Sequence, residues 1–301
     1  MKVIITGVTG FVGTNLSVFF KDKEVHVEAL SLRNSENIKS LSNDAQAIIH
    51  LAGKAHDTSN TSSSDEYFKV NRDLTIQLFN EFLKNDIRDF FYFSSVKAVA
   101  DTVDGILEEE VISKPITPYG KSKIEAEEYL LSQILPKGKR LFIIRPCMIH
   151  GPANKGNLNL LYKVIEKGIP WPLAAFHNQR SFLSIDNLNF IILEMLNNEN
   201  IDSGVFNVAD DDFVSTNELI TIISGSLGLK GKLLKINKGF IQGLAKVGDL
   251  VKLPLNTERL NKLTENYRVS NHKIKSALGI DKLPLTAQEG LIKTIESFKN
   301  K

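Results

Sequence analysis

Lys2-Val-Ile-Ile-Thr-Gly-Val-Thr-Gly-Phe-Val-Gly13 opens the chain on a β-branched run, turns on three glycines, and enters a segment where Phe11, Leu16, Phe19 and Phe20 recur at helical spacing. The pattern predicts strand, glycine turn and helix. At such a junction, backbone without side chains can approach a pyrophosphate, and the helix N-terminus faces its negative charge. Gly7, Gly10 and Gly13, with Phe11 and Val12 between them, are therefore candidates for a dinucleotide-binding loop. The competing reading is a tight turn that simply needs glycine. Past the next strand, Val25 to Leu30, an unphosphorylated adenosine ribose would call for an acid. The chain instead has Ser31-Leu32-Arg33. Serine and arginine suit a 2′-phosphate, so NADP(H) is favoured over NAD, unless Arg33 is a solvated surface residue.

Strand and helix patterns then alternate. Ala45 to Ala52 reads as a buried strand, with Ser31 to Asp44 before it long enough only for an abbreviated helix or irregular crossing. Ser64 to Asn85 carries Tyr67, Phe68, Val70, Leu74, Leu78, Phe79 and Phe82 as one long amphipathic helix. Phe90 to Phe93 is a strand, Tyr119 to Gln133 a helix, and Arg140 to Arg145 a strand. That rhythm specifies an α/β fold, a doubly wound parallel sheet with helices on both faces. After Gly151 the rhythm loosens: Asn157 to Glu166, Ile185 to Leu196 and Thr216 to Leu227 read as helices and Val205 to Val208 as a strand. From Lys230 the reading is short lysine-rich helical pieces broken by Gly239, Gly243, Gly248 and Pro254. We expect residues 1–150 to bind a dinucleotide. Residues 151–301 would form mainly a smaller C-terminal substrate-binding lobe, returning elements to the sheet from about 180–210.

Composition narrows the partners. With 37 basic and 35 acidic residues among 301, the net charge of +2 gives no electrostatic case for nucleic acid or a membrane surface. Cys147 is the single cysteine, which excludes an internal disulfide and fits the cytoplasm. No stretch approaches the length of a membrane span, and no His, Cys and carboxylate set has metal-site spacing.

Tyr119 and Lys123 stand four apart in Pro118-Tyr-Gly-Lys-Ser-Lys-Ile-Glu-Ala-Glu127, on one helix face. An ammonium near a phenol lowers its pKa and makes proton exchange with an alcohol feasible. Ser94 and Ser95 end a strand at the carboxyl edge of the sheet, where open parallel sheets bind ligands. Ser95 could hydrogen-bond a substrate alcohol or merely cap the strand.

Thr6-Gly-Val-Thr-Gly-Phe-Val-Gly13, His50-Leu-Ala-Gly53, Val70-Asn71, Ser94-Ser95, Tyr119-Gly-Lys-Ser-Lys123 and Arg145-Pro-Cys-Met-Ile-His-Gly-Pro152 occur in one order. In that order the chain resembles, over nearly its whole length, the extended short-chain dehydrogenase/reductases with a Rossmann fold. Within them it looks like a nucleotide-sugar epimerase, dehydratase or ketoreductase of the UDP-glucose 4-epimerase kind. The resemblance implies that Ser95 orients the sugar oxygen, Tyr119 exchanges its proton, and Lys123 holds the nicotinamide ribose. It further assigns Leu51, Ala52, Gly53, Asn71 and Pro146 to the NAD(P) side. Lys97, Asn157, Leu158 and Arg180 fall to the UDP-sugar side, with Arg259 a second arginine for the diphosphate. Arg180 and Arg259 could equally be surface ion-pair residues. A homodimer through Phe68 to Phe82 and Tyr119 to Gln133 is a further implication.

Departures narrow the activity. Val96-Lys97 stands where sugar dehydratases of this kind carry an acidic pair, so dehydration is not expected. Val99-Ala100 replaces a usual Tyr-Gly, and His150 a frequent Tyr, so the sugar pocket differs. His150 and Cys147 read first as packed structural residues. The expectation is an epimerase or 4-ketoreductase acting at C4 of a UDP-linked sugar. The Lys54-Ala-His-Asp57 loop and the Arg180 segment resemble the surface-polysaccharide branch, hence deoxy or N-acetyl sugars. The rival reading is a catalytically silent NADP-binding redox sensor on the same fold.

Overall fold

The computed structural model of the chain describes residues 1–39, 41–54, 63–154, 156–251 and 256–299. Ala55, His56 and Asp57 of the loop singled out above, Lys155 before Gly156, and Pro254 lie outside the described residues.

β1 (Lys2–Thr6) and α1 (Phe11–Asp22) flank the glycine turn, and β2 (His26–Leu30) follows. A 3-10 turn at Ser35–Lys39 crosses to β3 (Ala47–His50), the abbreviated connection its length allows. The single long helix expected next is three pieces: α2 (Ser64–Tyr67), a π turn (Phe68–Asp73) and α3 (Leu74–Lys84). A single widened turn leaves the apolar repeat on either side intact, so periodicity does not register it. β4 (Asp89–Phe93) runs into a 3-10 turn at Val96–Ala98, then β5 (Ile106–Leu107). α4 (Pro118–Ser132) starts where the Thr117 hydroxyl accepts the Gly120 N–H at 3.2 Å and Pro118 takes the first turn.

β6 (Arg140–Pro146) is followed by β7 (Met148–His150), α5 (Asn157–Glu166) and β8 (Arg180–Ser184). Then come α6 (Ile185–Asn197), β9 (Gly204–Val208), β10 (Phe213–Val214) and α7 (Thr216–Ser226). α8 (Lys238–Val251), α9 (Thr257–Thr264), β11 (Arg268–Val269), α10 (His272–Leu278) and α11 (Ala287–Lys299) end the chain. Two expectations are corrected here. β7 and β8 were not anticipated. α8 runs unbroken through Gly239, Gly243 and Gly248, because Ile241, Ala245 and Gly248 bury one face and tertiary packing outweighs about 1 kcal/mol per glycine.

Six parallel strands line up in the order β2-β1-β3-β4-β6-β9, so the order reverses beside β1. Alternate side chains feed opposite faces. Val3, Ile5, Phe91, Phe93, Phe142 and Ile144 pack under α1 and α6, while Ile4, Ile48, Phe90, Tyr92 and Ile143 pack under α3 and α4. A third cluster, including Leu158, Phe182, Ile220, Ile241 and Leu291, lies among the C-terminal helices beside the three-stranded sheet β10-β8-β7. β11 pairs with β5.

α4 meets the sheet with an unusual face. Its buried residues are Gly120, Ser122, Lys123, Ala126, Glu127 and Leu130. Glu127, fully buried, accepts from the Ser94 hydroxyl and from Arg145, whose Nε and second terminal nitrogen stand 3.0 and 2.5 Å from Oε2. Removing one partner of such a pair strands a charge in the interior. Arg145→Ala should therefore cost about 3–5 kcal/mol of unfolding free energy in a denaturant titration. A loss below about 1 kcal/mol would show that water reaches Glu127.

Candidate active site

The glycine turn and the end of β3 form one wall. Gly7 has φ +71°, and a Cβ there would stand 2.7 Å from the Ala52 backbone nitrogen, so only glycine lets the two segments close up. Gly10 caps α1 with extended backbone; no side chain caps that end and no acid sits in its first turn. Gly13 is buried one turn on, with Phe11 and Val12 half-buried before it. The first-turn amides and the helix dipole thus face outward toward an anion.

Behind this wall runs a buried polar chain. The Ala52 N–H donates to Thr6 Oγ1 at 3.0 Å, and Thr6 lies 2.7 Å from His50 Nδ1. His50 Nε2 lies 2.8 Å from Thr75 Oγ1, which donates to the Asn71 carbonyl at 2.8 Å. With Thr75 committed as donor there, His50 gives its Nε2–H to Thr75 and accepts from Thr6 at Nδ1. Burial, helped by the Lys123 charge, pushes His50 down to about 3, so it stays neutral. Asn71, presented by the π turn, accepts the Lys54 N–H at 2.7 Å and donates to the Ser122 hydroxyl at 3.1 Å. Its Oδ1 and the Lys123 ammonium both close on Gly53, where a Cβ would meet them at 3.1 and 3.2 Å. The Leu51 and Ala52 backbone thus lies against Gly7, and Asn71 and Lys123 lie against Gly53.

Ser95, Tyr119 and Lys123 meet at the carboxyl end of β4. The Ser95 hydroxyl oxygen accepts the Lys97 N–H at 3.2 Å, capping the turn, and lies near enough to the Tyr119 phenol to pull its pKa down. Gly120 permits this approach: a Cβ there would fall 2.4 Å from the Lys97 carbonyl oxygen, in the turn that follows Ser95. The Tyr67 ring stands edge-on to Tyr119 at 6.3 Å. Lys123, 5% exposed, donates to the Phe93 carbonyl at 2.8 Å. Burial lowers it to about 8 against the upward pull of Glu127. The expected lowering of the phenol is not what this geometry produces. Burial raises Tyr119, with the nearby Ser95 hydroxyl opposing, because desolvation outweighs the help the phenol receives.

Across the cleft are cations. Lys97 Nζ donates to the Asp101 carbonyl at 2.7 Å and lies 4.1 Å over the Tyr267 ring. Burial lowers its pKa against the upward pull of Glu265 and Asp101, and the Arg180 and Lys262 charges add to the lowering. Arg180, from β8, donates to the Lys262 carbonyl and is itself lowered by burial. Arg259 is exposed on α9, one turn before Lys262. Asn157 is exposed at the first turn of α5, whereas the Leu158 side chain is buried in the C-terminal core, leaving its backbone to face any ligand. Pro146 is buried at the end of β6 opposite Val208. Arg33 is exposed just past β2, its N–H 3.4 Å from Ser31 Oγ.

His150 stands apart from this group. It is fully buried, with Nδ1 2.9 Å from Thr294 Oγ1 and Nε2 3.7 Å from Asp210 Oδ2. It ties β7 to α11 as a packed residue. Burial pushes the Cys147 thiol well up, which leaves it a poor nucleophile. Among the described residues no group of His, Cys, Asp and Glu is placed to hold a metal ion. Tyr67, Tyr267 and the His50 chain were not foreseen as site residues. His50 could have been suspected, as a histidine inside an otherwise apolar strand; the tyrosines carry no local signal.

Comparison with known proteins agrees with this arrangement. Residues 3–209 match the family model of the NAD dependent epimerase/dehydratase family. A UDP-glucose 4-epimerase from Vibrio cholerae is 28% identical, covering 99% of this chain and 95% of its own. N-acetyl-alpha-D-glucosaminyl-diphospho-ditrans,octacis-undecaprenol 4-epimerase from Escherichia coli O157:H7 is 26% identical, covering 98% and 94%. Among solved structures, the Thermus thermophilus UDP-glucose 4-epimerase complex with NAD superposes with a TM-score of 0.75 at 17% identity, covering 99% of each chain. That likeness speaks for the fold alone. With the glycine turn, the Ser95, Tyr119 and Lys123 cluster and the family match in agreement, the chain belongs to the NAD dependent epimerase/dehydratase family.

Proposed function

We propose that the protein is an NAD(P)-dependent epimerase or 4-ketoreductase acting at C4 of a UDP-linked sugar, deoxy or N-acetylated. The observation that carries this reading is that Ser95 and Tyr119 come together at the strand edge, one helical turn from a buried lysine. The uncapped first turn of α1 and the close-packed Gly53 fit a dinucleotide, with Arg33 set for a 2′-phosphate and Pro146 and Asn71 toward the nicotinamide side. Bound NAD(P) supplies the hydride acceptor or donor.

The chain's own groups handle the proton. Ser95 holds the sugar oxygen at hydrogen-bonding distance from the phenol, and Tyr119 gives its proton to a 4-keto oxygen or takes it from a C4 hydroxyl. A phenol raised by burial favours the donor role, because its proton is retained at neutral pH. Lys97 and Arg180 receive the diphosphate: both are partly desolvated cations, and an anion beside them offsets the Arg180 charge that lowers Lys97. Arg259, Asn157 and the Leu158 backbone extend this end. The diphosphate is what these cations read, which is compatible with relatives that act on different diphosphate-linked sugars. Val96-Lys97, with no acid after Ser95, speaks against dehydration.

Tyr119→Phe should lower turnover by about 10²–10⁴-fold with NAD(P)H affinity within twofold; full activity in that variant would sink the mechanism, and cofactor binding without turnover of any UDP-sugar or 4-keto UDP-sugar by the unaltered protein would favour the sensor reading. NAD surviving dialysis would mark an epimerase, an empty site accepting NADPH a reductase. Lys123 carries its charge below about 8 and loses it above. The value of kcat/KM for keto reduction should therefore fall as pH rises through about 8, and a profile flat to pH 10 would contradict that role. Arg33→Ala should weaken NADPH roughly tenfold and leave NADH unchanged in a fluorescence titration. Equal affinity for both cofactors in the unaltered protein would remove the case for Arg33.

A further inference from the structure

α8 has two apolar stripes and only one of them is used. Ile241, Ala245 and Gly248 are buried on the C-terminal core. One step around the helix, Phe240, Leu244, Val247 and Val251 recur at spacings of four, three and four, with Leu250 beside them, and all five face solvent. Phe240 is 61% and Leu250 83% exposed. A core-facing helix needs no second stripe, and a contiguous exposed apolar strip of this kind marks a surface that something covers.

The charge around the strip identifies the cover. Between Gly228 and Val251 stand five lysines, Lys230, Lys232, Lys235, Lys238 and Lys246, all exposed, against one acid, Asp249. That acid, itself exposed, is engaged by α9: its carboxylate accepts from the Thr257 N–H at 3.0 Å and the Thr257 hydroxyl at 2.6 Å. The stretch is therefore strongly basic inside a chain whose total charge is only +2. A second copy paired across a two-fold axis would bring the patch onto itself and set its lysines against their equivalents. An anionic lipid surface has neither problem, since apolar side chains enter the acyl boundary while the ammonium groups meet the headgroups at about 1 kcal/mol each. No helix among the described residues is long and apolar enough to cross a membrane, so a 14-residue helix of this composition would lie in the interface plane.

We infer that α8, with the basic segment before it, docks the protein on an anionic membrane surface. The docked face adjoins the cation end of the cleft: α8 packs on α9, and the α9 carbonyl of Lys262 accepts from Arg180. On the diphosphate reading of that end proposed above, docking would hold it beside the headgroups. The docking itself stands apart from that reading and is measured without substrate.

Co-sedimentation of the purified chain with vesicles of phosphatidylglycerol and phosphatidylethanolamine, and with vesicles of phosphatidylcholine alone, tests it. Binding to the anionic vesicles that weakens with added salt is expected, with little to the neutral ones. Phe240→Ser combined with Leu250→Ser should reduce that partition roughly tenfold or more. Because both side chains are exposed, the thermal midpoint and NADPH affinity should not change. Absence of sedimentation with anionic vesicles, equal binding to neutral ones, or undiminished binding by the variant would overturn the proposal. So would a concentration-dependent dimer in sedimentation velocity that the variant disperses while neither form binds vesicles.

Discussion

The fold depends on a helix that buries charge where helices usually bury leucine. α4 sets Lys123 and Glu127 against the sheet, and each would cost several kcal/mol there without a partner. The partners come from two other elements: the Phe93 carbonyl and Ser94 hydroxyl at the end of β4, and Arg145 from β6. Asn71 joins through Ser122, so the π turn is tied to the same helix. Each bond has one geometry, whereas an apolar face would slide. The position of Tyr119 is set by this arrangement, since Tyr119 stands one turn from Lys123 on a helix that cannot shift without stranding a charge.

That same arrangement explains the state of the buried titratable groups. Burial raises the phenol, lowers the ammonium and holds His50 neutral. All three shifts have desolvation as their first cause and follow from excluding water at the edge of β4. Charge is held there by few partners: Lys123 donates to the Phe93 carbonyl, lies 4.9 Å over the Tyr92 ring and feels the Glu127 charge, while the Arg180 charge lowers Lys97. Bringing a polyanionic ligand into such a place relieves strain in the protein as well as making contacts, which is how a site keeps affinity for what arrives and little for water.

Much of this was legible in the order of the residues. The glycine turn, the alternation that makes a parallel sheet, and the Tyr119 and Lys123 spacing each rest on local rules, and each appears where those rules put it. What escaped was long-range or cooperative. The π turn leaves the apolar repeat undisturbed on both sides. β7 and β8 are short strands whose pairing is decided by neighbours far along the chain. Tyr267 reaches the cleft from 171 positions beyond Val96, to whose carbonyl it donates, and no spacing rule spans that interval. The direction of the Tyr119 shift was missed for a different reason: helical spacing brings an ammonium near a phenol but says nothing of how much water is removed from both.

Averages mislead in the same way. A total of +2 argues against any charged surface as partner, yet the total sums a mixed surface and one stretch that is almost wholly basic. Electrostatic attraction at physiological salt decays within about 8 Å, so a flat partner feels the nearest lysines and not the sum over the molecule. Where apolar exposure and local charge coincide on one helix, the local count is the relevant one. The exposed apolar residues of α8 and the basic stretch that leads into it adjoin α9, whose Lys262 carbonyl accepts from Arg180.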